Sequence, residues 1–188
     1  MRTISILKYT VTALILGAAS TKLDNVPPGY GLIELEWEVE VSPGRVELFN
    51  GTVQEVHRQA LAVNPDFQLL PSVQSRGELN RRSKVDCWRF AVTNRQQAEW
   101  NIDYLRRLSG KPTNGPGPGN CARVSCAWNA GIYWCNDNNY SKTIDGWSWI
   151  ANSAQNIINV CHGNHDVNIS GQNFEEGNWN TYISNANC

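Results

Sequence analysis

Six cysteines, all after residue 86 of the 188-residue chain, constrain the fold more than any other feature of the sequence. They are Cys87, Cys121, Cys126, Cys135, Cys161 and Cys188. An even number of cysteines behind a secretory signal predicts a framework of disulfide bonds, because oxidised pairs persist outside the cell. Six cysteines can pair in fifteen ways, so the sequence leaves the pairing open.

The first twenty residues have the composition of a secretory signal peptide. Arg2 and Lys8 supply positive charge, residues 11–19 are apolar, and Ser20 can occupy the cleavage position. An apolar run of about nine residues is too short to cross a bilayer as a helix, and a buried core helix is the alternative. With no later transmembrane candidate, we expect a secreted, extracellular protein without a membrane span.

A metal site is the main alternative explanation of the cysteines. Cys121 and Cys126 are closely spaced, but no second compact pair of ligands completes a zinc-binding pattern. Only His162 and His165 could assist, and histidines beside a helix end are usually caps or surface residues. We therefore expect neither a metal nor another cofactor.

Three glycosylation sequons agree with a secretory route. They begin at Asn50, Asn139 and Asn168, each followed two residues later by Ser or Thr. A single sequon is a weak signal, and the three together add weight to the signal peptide.

The cysteine content changes near residue 83 and suggests a precursor with a removable segment. Residues 21–82 contain no cysteine and end in Arg81 and Arg82, a pair that resembles a kexin-type cleavage site. We predict a signal peptide at 1–20, a propeptide at 21–82 and a mature cysteine-rich domain at 83–188. An uncut, exposed linker is the alternative.

The predicted propeptide has a ββα pattern. Residues 33–41 alternate apolar residues with glutamates and predict a strand with one buried face. Residues 45–49 return as a second strand after a turn. Thr52 and Glu55 form a capping box, so a helix should run over residues 53–63. Because a lone hairpin and helix are marginally stable, we expect this segment to pack on the mature domain.

The mature part is predicted to be α+β. Its helices are predicted near 94–109 and 146–161, and its strands at 85–90, 123–128, 132–136, 169–174 and 179–184. We read this order as a disulfide-bonded βαββαβ, ferredoxin-like plait with both helices on one face of an antiparallel sheet.

Several motifs resemble small cysteine-rich secreted proteins of ascomycete fungi. The motifs are RVSCAWNAGIYWCNDNN at 123–139, LEWEV at 35–39, NGTVQEV at 50–56, KPTNGPGPGNC at 111–121 and SGQNF at 170–174. The resemblance implies a candidate effector, a class with no established activity, and a role in virulence. The element order and the dibasic site also resemble smut-fungus killer toxins at the level of the fold.

The sequence contains no convincing catalytic constellation. A secreted ribonuclease needs a general acid–base pair and cationic phosphate contacts, and the side chains available for these roles are Glu175, Glu176, His162, His165 and Arg123. Nothing in their spacing places them on one surface. We therefore predict a protein without enzymatic activity.

Exposed tryptophans are the best binding candidates. Trp149 falls off the apolar face of its predicted helix, and Trp100 lies beside the apolar stripe of the other helix. Partial burial against a disulfide or the propeptide is an equally good explanation of both.

The charge balance bears on the partner. With 16 Lys and Arg against 17 Asp and Glu, the chain has no electrostatic footprint for nucleic acid. We expect a monomer that binds an unknown protein or cell-surface target after kexin-type processing, and a host is one source of that target. The alternatives are a membrane-active or channel-blocking antimicrobial toxin and a small secreted hydrolase such as a ribonuclease.

Overall fold

A computed structural model of the chain describes residues 26–69, 83–163 and 167–188. Ser20, Arg81, Arg82 and His165 lie outside the described residues, so the predicted cleavage sites are not part of the structure. The predicted α+β class is confirmed, with three helices and a multi-stranded sheet among the described residues.

The described part of the chain contains twelve strands and three helices. In chain order these are β1 (Gly31–Ile33), β2 (Glu36–Ser42), β3 (Arg45–Asn50), α1 (Val53–Val63), β4 (Lys84–Cys87), β5 (Thr93–Asn94), α2 (Arg95–Arg106), β6 (Thr113–Asn114), β7 (Asn120–Ala127), β8 (Ala130–Asn136), β9 (Lys142–Thr143), α3 (Trp147–Cys161), β10 (Asn168–Ile169), β11 (Gly171–Glu175) and β12 (Trp179–Asn185). Three pairs form small two-stranded ladders: β2 with β3, β5 with β10, and β6 with β9.

The main sheet has six strands in the order β1-β7-β8-β12-β11-β4. β1 runs parallel to β7, and every other pair of neighbours is antiparallel. The three helices cover one face of this sheet, and α2 packs directly against α3. Both predicted helices of residues 83–188 therefore lie on the same face, as expected, although α2 ends at Arg106 rather than near residue 109.

Side chains alternate between the two faces of the sheet. On β8, Ile132 and Trp134 join the core beneath the helices, whereas Tyr133 and Cys135 belong to a second cluster on the opposite face. Tyr133 stacks on its cross-strand partner Tyr182, with ring centroids 4.3 Å apart. The sheet is therefore buried on both faces, and every residue of β8 is buried.

The structure resolves the disulfide pairing that the sequence left open. Cys87 bonds Cys161, Cys121 bonds Cys135, and Cys126 bonds Cys188, so the predicted use of all six cysteines in disulfides is confirmed. The first bond ties the edge strand β4 to the end of α3. The second joins the neighbouring strands β7 and β8, and the third holds the C-terminus against β7.

The predicted ferredoxin-like plait is wrong in its strand order. The first strand of a βαββαβ plait lies inside the sheet, whereas β4 lies at its edge. The final segment is a hairpin, β11 and β12, and its second strand inserts between β8 and β11. Burial explains why β12, and not β4, lies inside the sheet. β12 is buried from Trp179 to Ser184, whereas β4 is short and begins with the exposed Lys84.

Residues 26–69 pack on the rest of the chain. The strand predicted over 33–41 corresponds to β2 at residues 36–42, which forms a hairpin with β3, whereas Ile33 ends β1, which joins the main sheet. The helix predicted over 53–63 is confirmed as α1. At its start the Thr52 amide and hydroxyl donate to the Glu55 carboxylate at 2.7 and 2.8 Å. Burial by itself would raise the pKa of Glu55, but these bonds, together with the Arg123 and Arg58 charges, keep the pKa below its ordinary value.

We expect acid to destabilise the contact between α1 and α2. His57 of α1 hydrogen-bonds the Tyr104 hydroxyl of α2, and burial, with the nearby Arg107 charge, lowers the pKa of His57 from 6.5. Because the pKa of His57 is lower in the folded protein than in the unfolded chain, the unfolded chain binds the proton at a higher pH. Stability is therefore complete above about pH 6.5 and falls as the pH drops through the lowered folded value.

Urea unfolding at about pH 7.5 and about pH 5.5 measures this dependence. The His57→Gln variant, whose side chain does not titrate, should lose less stability over this interval than the native chain. An identical loss in both proteins would assign the acid sensitivity to other groups.

Candidate functional site

Four tryptophans are largely exposed to solvent. Trp100 and Trp149, the two candidates from the sequence, are 50% and 53% exposed, so about half of each side chain is accessible to a partner. Trp88 and Trp128 are 47% and 58% exposed. Tryptophan is highly buried on average, and exposed apolar side chains that lie together mark interaction surfaces.

Trp100 and Trp128 form a pair on the surface. Their ring centroids are 5.1 Å apart and their planes are inclined at 64°, an edge-to-face geometry that aromatic rings favour. Trp100 lies on α2, and Trp128 lies in the turn between β7 and β8. Sequence reasoning missed Trp128, because it placed this residue in the strand predicted over 123–128.

The backbone of Trp128 has an unfavourable conformation. Trp128 and Asn129 have φ of 52° and 61°, so they form the two-residue turn in which both residues are left-handed. Asn suits that region, but a bulky side chain there costs about 1–2 kcal/mol. Trp88 also has a positive φ, 63°. Two of the four exposed tryptophans are therefore displayed at a cost to stability, which is common at functional sites.

Several contacts hold this strained turn in place. The Asn101 side-chain amide donates to the carbonyl oxygens of Ala127 and Ala130, at 3.3 and 3.1 Å. The Asn129 carbonyl accepts from the Thr93 hydroxyl at 2.9 Å. It also accepts from the Ala186 amide at 3.1 Å. The turn is thus fixed from α2, from the segment before it and from the C-terminus.

Other exposed apolar side chains lie at the same end of the main sheet. β4 and β7 run in one direction, because four antiparallel pairings separate them. The residues after β4 therefore lie at the end that carries the β7–β8 turn. The Cys87–Cys161 bond brings the end of α3 there, and the Arg95 amide donates to the Val167 carbonyl at 2.8 Å. We define the sheet-end surface as the exposed apolar side chains at this end: Trp88, Val92, Trp100, Trp128, Val160 and Val167.

Trp149 does not belong to the sheet-end surface. α2 and α3 are antiparallel, since Lys111 after α2 pairs with Asp145 before α3 at 2.9 Å. They meet where Arg106, the last residue of α2, donates to Gln155 in the middle of α3 at 3.3 Å. Trp100 and Trp149 each lie six residues before that contact on their own helices, which separates them by about 18 Å along the helix axes. The two tryptophans predicted from the sequence therefore belong to different surfaces.

The acidic candidates for catalysis lie at one end of β11. The Glu175 carboxylate accepts from the Asn173 amide at 2.6 Å, and burial raises the pKa of Glu175. Glu176 follows in the exposed turn before β12. The Asn173 side chain also bonds Ser153 of α3, so Glu175 is part of a structural polar cluster beneath that helix.

The basic candidates lie elsewhere. His162 follows α3 beside the opposite end of β11, where Gly171 packs near Cys161. Arg123 lies on β7 and donates to the carbonyl oxygen of Asn187 at 3.0 Å. Among the described candidates, the structure therefore does not bring an acid, a base and a phosphate contact together.

Three further features of the described residues concern metal binding, membrane spanning and glycosylation. Within them, no three His, Cys, Asp or Glu side chains are arranged to hold a metal ion. No helix in the same ranges is long and apolar enough to cross a membrane. The three sequon asparagines, Asn50, Asn139 and Asn168, are all exposed.

Comparison of the chain with protein-family models, with curated proteins and with solved structures finds no match.

Proposed function

We propose that the protein is a secreted, non-enzymatic effector or toxin-like protein that binds a protein target outside the producing cell. The signal-peptide pattern and the resemblance of its motifs to cysteine-rich secreted proteins of ascomycete fungi support secretion and this class. Three disulfides suit a protein that works among extracellular proteases. The sheet-end surface is the proposed binding site.

One observation carries the assignment of the surface: Trp128 is exposed in a left-handed turn beside the exposed Trp100. A turn selected only for stability would place Gly or Asn where Trp128 stands. Tryptophan is the residue most enriched among binding hot spots, because it buries a large rigid area and can still donate a hydrogen bond. We therefore assign Trp100 and Trp128 as the anchors of the interface.

The two alternatives have less support. A membrane-active toxin could also insert exposed tryptophans at a lipid interface, but such proteins favour a cationic surface and this chain has a net charge of −1. A secreted ribonuclease would need Glu175, His162 and Arg123 on one surface, and they lie apart. Dye release from anionic lipid vesicles and cleavage of RNA test these alternatives directly.

Trp128→Gly should separate binding from folding. Glycine adopts a positive φ without strain, so relief of that strain should offset the lost Trp100 contact and leave the thermal midpoint equal or higher. Binding of labelled protein to intact host cells should weaken at least about tenfold in Kd, because a hot-spot side chain is lost.

Trp149→Ala is the matched control, since it removes a similarly exposed tryptophan that lies about 18 Å from Trp100 along the helix axes. It should leave binding unchanged. Equal binding by Trp128→Gly and the native protein would refute the assigned surface. RNA cleavage by the native protein that is lost in His162→Ala would refute the non-enzymatic assignment.

A further inference from the structure

We infer that residues 26–69 are a permanent part of the folded protein, held without a covalent bond, so that cleavage between residues 69 and 83 leaves a two-chain molecule. This differs from the expectation that processing frees residues 83–188 as a separate domain. The inference is independent of the proposed function, because it concerns only the contacts between the two parts of the chain.

The first contact is a shared sheet. β1 pairs in parallel with β7, with Gly31, Leu32 and Ile33 opposite residues 120–122. The Gly31 amide also donates to the Gly119 carbonyl at 2.8 Å. Without β1, the edge of β7 would present unpaired backbone groups over these residues, which favours association with other chains. β1 therefore completes the sheet.

The second contact is a shared core. Trp37 of β2 is 3% exposed and stacks on Trp147 at the start of α3, with ring centroids 3.8 Å apart and planes 5° from parallel. Further apolar side chains of the N-terminal part are buried in the same core cluster as α2, α3 and the main sheet: Leu35, Val41, Phe49, Val53, Val56 and Ala60. Departure of residues 26–69 would expose both sides of this contact to water.

The third contact is a buried polar network centred on Gln54. Its side-chain amide donates to Asn101 Oδ1 and Ser125 Oγ, both at 2.7 Å, and its carbonyl oxygen accepts from the Cys126 amide at 3.0 Å. Asn101 and Ser125 are fully buried. Buried polar groups that lose a hydrogen-bond partner destabilise a protein, so this network favours the bound state of α1.

None of these contacts is covalent. All six cysteines lie in residues 83–188 and pair with one another, so no disulfide connects residues 26–69 to the remainder. After a cut, the two chains would be held by noncovalent contacts, among them β1, the core around Trp37, the Gln54 network and the His57–Tyr104 hydrogen bond. Because removal would uncover buried apolar and polar groups together, we expect the complex to persist.

The test is a cut at a defined place. Residues 74–80 of the full chain are replaced by the recognition sequence of a sequence-specific protease, and the purified protein is cleaved. Two bands should appear on a denaturing gel without reductant. Size-exclusion chromatography and native mass spectrometry should show a single species with the mass of the uncut protein. Elution of the two fragments as separate species would overturn the inference.

Variants distinguish specific retention from slow release or aggregation. Gln54→Ala combined with Trp37→Phe should leave the uncut protein folded but allow the cut fragments to separate at least about tenfold faster on dilution. Leu48→Ala, at a site that is 58% exposed on the same hairpin, should behave like the native sequence. Equal release rates for all three proteins would refute the assigned contacts. Because no target is present, failure of the proposed binding function would not affect this result.

Discussion

Replacing Cys87 and Cys161 together with alanine is expected to destabilise the protein by about 4 kcal/mol. Their sequence separation is 74, and a cross-link that closes a loop of this length removes much of the freedom of the unfolded chain. The bond also anchors β4, a four-residue edge strand, to the end of α3. The expected loss corresponds to a fall in the thermal midpoint of about 10 °C.

The other two disulfides provide the comparison. Loss of Cys126 and Cys188, separated by 62 residues, should cost about 4 kcal/mol on the same basis. Loss of Cys121 and Cys135, separated by 14, should cost about 3 kcal/mol, because the closed loop is short. Chemical unfolding of the three double variants measures the order. A larger loss for the Cys121 and Cys135 variant than for the other two would contradict the loop-length argument.

Local patterns predicted most elements of this fold. The period-two alternation and the capping box of the N-terminal part gave β2 and α1, because each pattern depends only on residues near in sequence. Helical periodicity likewise predicted α2 and α3. The ends were less accurate, since the end of α2 at Arg106 depends on the segment that follows as well as on the helix itself.

Strand order could not be predicted in the same way. The final two strands were recognised, but which of them lies inside the sheet depends on burial on both faces, and this requires knowing the partners. The Tyr133–Tyr182 stack on the face opposite the helices is such a feature. β1 was missed for a similar reason, because its three exposed residues have no internal pattern and are defined only by pairing with β7.

The candidate site was predicted in part. The sequence identified Trp100 as lying off an apolar face, and the structure shows it exposed. It did not identify Trp128, because strand propensity favours tryptophan in a strand and gives no sign of a left-handed turn. A Trp–Asn pair between two apolar strands is an available signal, since Asn is common in such turns. The contact between the two rings required the positions of α2 and the hairpin together.

Trp37→Ala is expected to cost about 4 kcal/mol, close to the effect of a long-range disulfide. Trp37 is almost fully buried, stacks on Trp147, and donates from its indole nitrogen to the Gly51 carbonyl at 2.8 Å. The substitution leaves a cavity between the β2–β3 hairpin and α3 and removes one hydrogen bond. Thermal and chemical unfolding of the whole chain measure the loss, with Leu48→Ala on the exposed face of the hairpin as control.

The number of unfolding transitions in Trp37→Ala shows whether residues 26–69 unfold together with residues 83–188 or separately, as a detachable cover would. If residues 26–69 belong to the same cooperative unit as residues 83–188, one unfolding transition should shift as a whole, and Leu48→Ala should change it by less than about 0.5 kcal/mol. If residues 26–69 form a cover, Trp37→Ala should produce a separate unfolding transition at a lower temperature or denaturant concentration and leave the main transition unchanged. Trp37→Phe keeps an aromatic ring against Trp147, so a smaller shift of the same single transition would assign the stabilisation to that stack.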